Sequence, residues 1–167
     1  TVIEFKNALD KPILHRNVLS DGNFADTYYV YDDYDRLRYV LPPMASKALT
    51  TTGAVWTTAD DIVYKYCYYY EYDIVGNITQ KKLPGCDKIT YYYNSAHRLV
   101  LSRDGNQNTT LYDYTIYLYD KYGREVLRGN ISLIDEEVSL YTESDIVAEY
   151  TGNGTEETYG YTFNVGE

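Results

Sequence analysis

The residues that could do chemistry are few. His15 and His97 are the only histidines among 167 residues. A nucleophilic triad needs a base beside a Ser or Cys. His97 stands in Asn94-Ser95-Ala96-His97-Arg98, at a turn position that glycine takes elsewhere in the chain, and backbone geometry accounts for it. His15 lies between Leu14 and Arg16 on an extended stretch, set for solvent or a cross-strand pair. Cys67 and Cys86 form no Cys-x-x-Cys spacing, and with two histidines they are too few for a zinc site. Cys67 is expected on a strand and Cys86 just past its partner strand. A bridge between them is open, with two free thiols as the default. The 25 acidic residues offer many pairs, and glycoside cleavage needs two carboxylates about 5–10 Å apart in a cleft. Asp60-Asp61 and Glu136-Glu137 fit helix first turns better. Asp104-Gly105-Asn106-Gln107-Asn108 has part of a calcium loop's spacing but lacks the later bidentate Glu, so it reads as a turn. The glycines are single and fall at turns, so no loop cradles phosphate. This assigns no catalytic residue, no metal ligand and no cofactor.

Tyrosine is the anomaly: 23 Tyr against 3 Phe and 1 Trp. Tyr64, Tyr66, Tyr68, Tyr69 and Tyr70 form the densest run and are the candidate ligand-contact residues. Aromatic faces near Asp and Asn can bind glycan by stacking on sugar CH groups. The alternative is that these rings ladder across strands and hold a sheet together, each pair contributing about 0.5–1.5 kcal/mol. The net charge of -10 repels phosphate backbones and argues against nucleic acid. No window approaches the ~18 apolar residues of a membrane span. The chain opens at Thr1 and its only Met is Met44, so it is read as a segment of a longer polypeptide.

The elements that must position these residues come from an internal repeat. Tyr31, Tyr72, Tyr93 and Tyr119 mark its phase. Asp or Asn follows (Asp32, Asp73, Asn94, Asp120) and can bond its side chain to the backbone two residues on, starting a turn. Four residues after each Tyr comes Asp35, Gly76, His97 or Gly123, where a left-handed backbone is expected; Gly adopts it freely and Asp and His tolerate it. A polar residue and an aliphatic run follow. Each copy is therefore a β-hairpin of alternating strands. The units fall near 2–18, 27–41, 67–83, 88–103, 112–129 and 146–164, the last turning at Gly152-Asn153-Gly154. One unit between Tyr31 and Tyr72 is overwritten. Leu41-Pro42-Pro43 ends one return strand. Helical insertions are expected near 59–66, capped by Thr57-Thr58, and near 133–144, where Leu133, Ile134, Val138 and Tyr141 share a face.

Tyr-Val-Tyr-Asp-Asp-Tyr-Asp-Arg-Leu at 29–37, Tyr-Glu-Tyr-Asp-Ile-Val-Gly-Asn-Ile at 70–78 and Tyr-Leu-Tyr-Asp-Lys-Tyr-Gly-Arg-Glu at 117–125 resemble YD repeats. These belong to the rearrangement-hotspot (Rhs) family, shared with bacterial toxin-complex shells and teneurins. Tyr28–Met44 also resembles versions found in large cell-surface proteins of Bacteroidetes. The resemblance implies a mainly β fold: an antiparallel meander of YD-repeat hairpins forming a curved sheet or strip, with one or two short helical insertions. It implies a secreted or cell-surface location and a shell that encloses and delivers a C-terminal toxin or effector, or supports surface contacts. It supplies no catalytic residues, and no segment here matches the autoproteolytic closure of some shells. His97, Asp35 and Asn94 depart from the repeat pattern.

Three functions follow, in order of expectation. The first is a structural module of a larger shell, without catalysis of its own. Its partners would be the rest of its polypeptide, with self-association through sheet edges. The second is a tyrosine-rich surface module binding glycan or host protein. The third is a glycoside hydrolase fragment.

Overall fold

The computed structural model describes residues 1–52, 56–57, 60–107, 113–143, 146–150 and 161–165. They fall into two compact units, Thr1–Lys88 and Ile89–Glu167.

The first unit is a meander in chain order: β1 (Val2–Lys6), β2 (Pro12–Val18), β3 (Phe24–Tyr31), β4 (Leu37–Leu41), then β5 (Tyr68–Tyr72) and β6 (Ile78–Lys82). Each neighbour pairs antiparallel with the last. Two helices, α1 (Pro43–Thr52) and α2 (Asp61–Tyr66), lie between β4 and β5 in sequence. The strands still pair directly, Tyr39 with Tyr69 and Val40 with Tyr68. The interval expected to hold an overwritten repeat is thus a helical excursion. α1 was not anticipated from the sequence. Leu41 does end β4, but Pro43 then opens a helix, because the first helical position needs no N–H donor and proline's fixed φ suits it. α2 lies inside the expected 59–66. Its cap is Asp60 rather than the threonines; the Asp60 carboxylate accepts from the Thr57 amide. Leu41, Ala45, Val63 and Cys67 are buried together, with Val30, Tyr39, Leu49 and Trp56 packed against them. Ser46 Oγ donates to the Asp26 carbonyl at 2.9 Å and ties α1 to β3.

The second unit holds β7 (Ile89–Tyr93), β8 (Leu99–Arg103), β9 (Asp113–Tyr119), β10 (Glu125–Ser132), α3 (Asp135–Glu143), β11 (Ile146–Tyr150) and β12 (Tyr161–Val165). A single 3-10 turn, Gly105–Gln107, follows β8. β7 to β10 continue the antiparallel pattern. β11 breaks it, touching β9 in parallel at Val147 and Tyr119 before pairing antiparallel with β12. β10 pairs β9 and, among the described residues, no other strand. The core is Val100, Leu101, Tyr114, Ile116, Leu118, Leu133 and Ala148, with Val138 and Tyr141 of α3 against it. Of the four residues expected on the apolar face near 133–144, Ile134 is exposed; it precedes α3, and its amide donates to Glu137 Oε2 at 3.0 Å. The expected turn at Gly152-Asn153-Gly154 lies outside the described residues.

Candidate functional site

The recurring feature is the turn, and its geometry repeats closely. In each copy an Asp or Asn amide donates to the carbonyl four residues on: Asp32 to Arg36, Asp73 to Asn77, Asn94 to Arg98 and Asp120 to Arg124. The third residue after it donates back to the Asp or Asn carbonyl. That residue has φ of 64° at Asp35, 101° at Gly76, 58° at His97 and 78° at Gly123. Asn7 starts the same turn in the first hairpin, with Asp10 at φ 62°. The side-chain oxygen accepts the amides two and four residues on, as Asp32 does from Tyr34 (3.0 Å) and Arg36 (2.9 Å) and Asp120 from Tyr122 (2.9 Å) and Arg124 (3.0 Å). This Asx turn satisfies donors that a tight reversal would leave bare. The register is constant: Tyr31 faces Leu37, Tyr72 faces Ile78, Tyr93 faces Leu99 and Tyr119 faces Glu125, each pair six residues apart beside a bulge.

The turn carboxyls are held below their ordinary value. For Asp120 the largest cause is the Arg124 amide, joined by the Arg124 guanidinium. For Asp32 and Asp73 burial is the largest influence and opposes ionisation, but the converging amide and side-chain donors outweigh it.

The tyrosine before three of these turns, Tyr31, Tyr72 and Tyr119, does something the sequence pattern did not disclose. Its hydroxyl reaches the preceding hairpin and donates to the carbonyl of that hairpin's first return-strand residue. Tyr31 bonds Pro12 O at 2.9 Å, Tyr72 bonds Leu37 O at 2.8 Å, and Tyr119 bonds Leu99 O at 2.8 Å. Burial pushes the acidity of all three phenols down, raising their pKa and keeping them as donors. The partner in this clamp is a cation from the earlier turn, lying over the ring of the later tyrosine. Lys11 sits over Tyr31, Arg36 over Tyr72 at 4.9 Å and Arg98 over Tyr119. Two of these cations reach the next turn's backbone: Lys11 Nζ donates to Asp35 O at 2.6 Å and Arg36 to Asp73 O at 2.7 Å. A Cβ on Gly123 would lie 3.9 Å from the Arg98 guanidinium carbon. Hairpin joins to hairpin by a tyrosine reaching back and a cation reaching forward.

The five tyrosines of the dense run do not share one face. Tyr64 and Tyr66 lie on α2, Tyr68, Tyr69 and Tyr70 on β5, and Cys67 separates them. Tyr64 is exposed; its hydroxyl donates to Asp87 at 3.2 Å and Lys82 Nζ lies 4.5 Å from its ring centre. Tyr66 packs on the first unit's core. Tyr69 is buried, with its ring 4.9 Å from Tyr39 and its hydroxyl on Glu71. Tyr68 and Tyr70 are half-buried on the opposite face of β5 from Tyr69. His15 makes a cross-strand pair, Nε2 with Glu4 at 2.8 Å and Nδ1 with the Tyr29 hydroxyl at 3.1 Å. Cys67 is buried and Cys86 exposed, and both are free thiols. A concavity of about 840 Å³ is open and lined by Arg16, Phe24, Asp26, Tyr28, Met44 and Lys47 among others. Its Asp26 is held by Arg16 through two bonds of 2.8 and 2.7 Å. Among the described residues no group of His, Cys, Asp and Glu is placed to hold a metal ion.

No protein-family model matches the chain. No curated protein matches it either. Solved structures do. The fold is that of parts of the crystal structures of TcdB2-TccC3, TcdB2-TccC3-TEV and TcdB2-TccC3-Cdc42. The TM-scores are 0.57, 0.57 and 0.58 at 13%, 13% and 12% identity, covering 78%, 78% and 81% of this chain. This chain spans about 6% of the length of each. The hairpin meander read from the Tyr-Asp repeats is therefore present both in the structure and in these neighbours.

Proposed function

We propose that this chain is a structural segment of a larger Rhs-type shell, with no catalysis of its own. The observation that carries this reading is the clamp between hairpins: three hairpins are completed by the next, through Tyr31 on Pro12, Tyr72 on Leu37 and Tyr119 on Leu99. Side chains spent on the next repeat are those of a wall. The fold shared with TcdB2-TccC3 supports the reading, as does the resemblance of the repeats to the Rhs family. On that reading the partners are neighbouring repeats of the same polypeptide and, at one end, an enclosed effector, and the polypeptide acts outside the cytoplasm.

The test compares this chain with a longer stretch of its natural polypeptide by sedimentation and urea unfolding, with electron microscopy of the full polypeptide. Adjoining repeats should raise the unfolding midpoint and the slope with denaturant, since added units add nearest-neighbour interfaces and bury more surface. Micrographs should show a hollow body. A segment that unfolds identically alone and in context, seen as a separate bead, would refute the proposal.

A further inference from the structure

We infer that the outer edge of β10 is a built docking edge for another Tyr-Asp hairpin, with Arg124 and the Glu125 carbonyl as its clamp. The inference rests on the shell reading and adds to it which edge is open and what it receives.

The argument compares Arg36 with Arg124. Both follow a Tyr-Asp turn by four residues. Both are fixed by their own turn acid: Arg36 Nε on Asp32 Oδ2 at 2.9 Å, Arg124 Nε on Asp120 Oδ2 at 2.7 Å. The turn acids are equally withdrawn, at 17% and 13% side-chain exposure. The cations are not: Arg36 is 24% exposed and Arg124 is 74%. The difference is the next hairpin. Arg36 lies over Tyr72 of that hairpin and donates to its Asp73 carbonyl. Among the described residues Arg124 contacts Asp120 and its own turn's Tyr122 ring, and no later hairpin. It is the same device without a following hairpin among those residues.

The rest of the clamp is also in place. The carbonyls that receive a neighbour's tyrosine belong to the first return residue, Pro12, Leu37 or Leu99. Glu125 is that residue for the last Tyr-Asp turn, facing Tyr119 across the hairpin. β10 offers eight residues of edge, and among the described residues no second strand pairs with it; α3 and β11 pack on β8 and β9. Charge and geometry select the occupant. An exposed guanidinium like Arg124's can cover an aromatic face and donate to a carbonyl, as Arg36 does, and a hairpin with Tyr before an Asp or Asn turn supplies both together. β1, which among the described residues pairs only β2, is not equipped to be such an occupant. Lys6 stands where the clamping tyrosine would be and is committed to Asp10 at 3.0 Å. Growth through the clamp is therefore one-sided.

The test uses the intact chain and a disulfide-closed synthetic peptide carrying residues 113–132 of this sequence as the incoming hairpin, read by amide hydrogen exchange and titration calorimetry. Amides along Glu125–Ser132 should gain protection on peptide addition, while those of Val2–Lys6 stay unchanged. Arg124→Ala in the chain should weaken binding about tenfold. The Tyr119→Phe peptide should weaken it about fivefold, a readout that holds even if the chain variant folds poorly. Protection at β1, or affinity unmoved by either change, overturns the inference. So does β10 protection that rises with protein concentration in the absence of peptide, which would place a second copy there. If adjoining natural sequence stabilises the chain while β10 stays unprotected, this inference fails and the shell reading stands. If adjoining sequence adds nothing, the shell reading itself has failed.

Discussion

The clamp makes Tyr72→Phe the sharpest single test. The substitution keeps the ring and therefore the face under Arg36, 4.9 Å from the guanidinium carbon. It removes one atom, the hydroxyl that donates to Leu37 O at 2.8 Å. A net hydrogen bond is worth about 0.5–1.5 kcal/mol, and the half-buried carbonyl left behind puts the cost in the upper half of that range. The expected loss is about 1 kcal/mol, roughly fivefold in the folding equilibrium. Tyr72→Leu should cost about 0.5–1 kcal/mol more by removing the face as well. Tyr34 is the control: it sits at the tip of the preceding turn, 80% exposed, and Tyr34→Phe should change stability by less than about 0.5 kcal/mol. Urea unfolding monitored with exchange of the β4 and β5 amides reads both the size and the place of the effect. If Tyr72→Phe and Tyr34→Phe lower the midpoint equally, or the β4–β5 amides are not preferentially exposed, the clamp does not hold the hairpins together.

Other consequences can be checked directly. The carboxyls of Asp32, Asp73 and Asp120 are lowered from 3.8, so the stability they contribute is complete above the unfolded value and is lost as pH falls through the folded one. An acid titration should show that loss beginning near pH ~4, and the triple variant Asp32→Asn, Asp73→Asn, Asp120→Asn should flatten it while keeping the turns, as Asn94 already does. Leu101→Ala empties a fully buried core site and should cost about 2–5 kcal/mol by urea unfolding, against no measurable change for Ile74→Ser, which is 99% exposed. Burial pushes the Cys67 thiol up to about 11, so a thiol reagent at pH 8 should label Cys86 at once and Cys67 only on unfolding.

The hairpins were legible because their chemistry is local. Asp or Asn followed by Gly, or by a residue tolerant of positive φ, fixes a turn within five positions. His97 and Asp35 could be placed in the left-handed region from sequence because the repeat set their phase. The clamp was not legible, because it joins residues separated by 19, 35 and 20 positions. α1 was hidden by Pro42-Pro43, which reads equally as the end of a strand and the start of a helix. The helix expected near 59–66 already separates Tyr64 and Tyr66 from the strand tyrosines that follow, and the structure puts the change at Cys67. The return of β11 to β9 goes with packing by Leu133, Val138 and Tyr141, whose pattern announces a helix and not its destination.

The clamp also has a direction in time. A chain leaves the ribosome amino end first. Each Asx turn closes within its own few residues, so a hairpin can form before anything follows it. When the next tyrosine emerges, the carbonyl it needs is already fixed, and in the second clamp the arginine that will cover its ring, Arg36, is already held by its own turn's Asp32. Pro12 waits for Tyr31, Leu37 for Tyr72, and Leu99 for Tyr119. Assembly then proceeds like a zip, each tooth set by the one before, and a strand that arrives out of turn finds no seat.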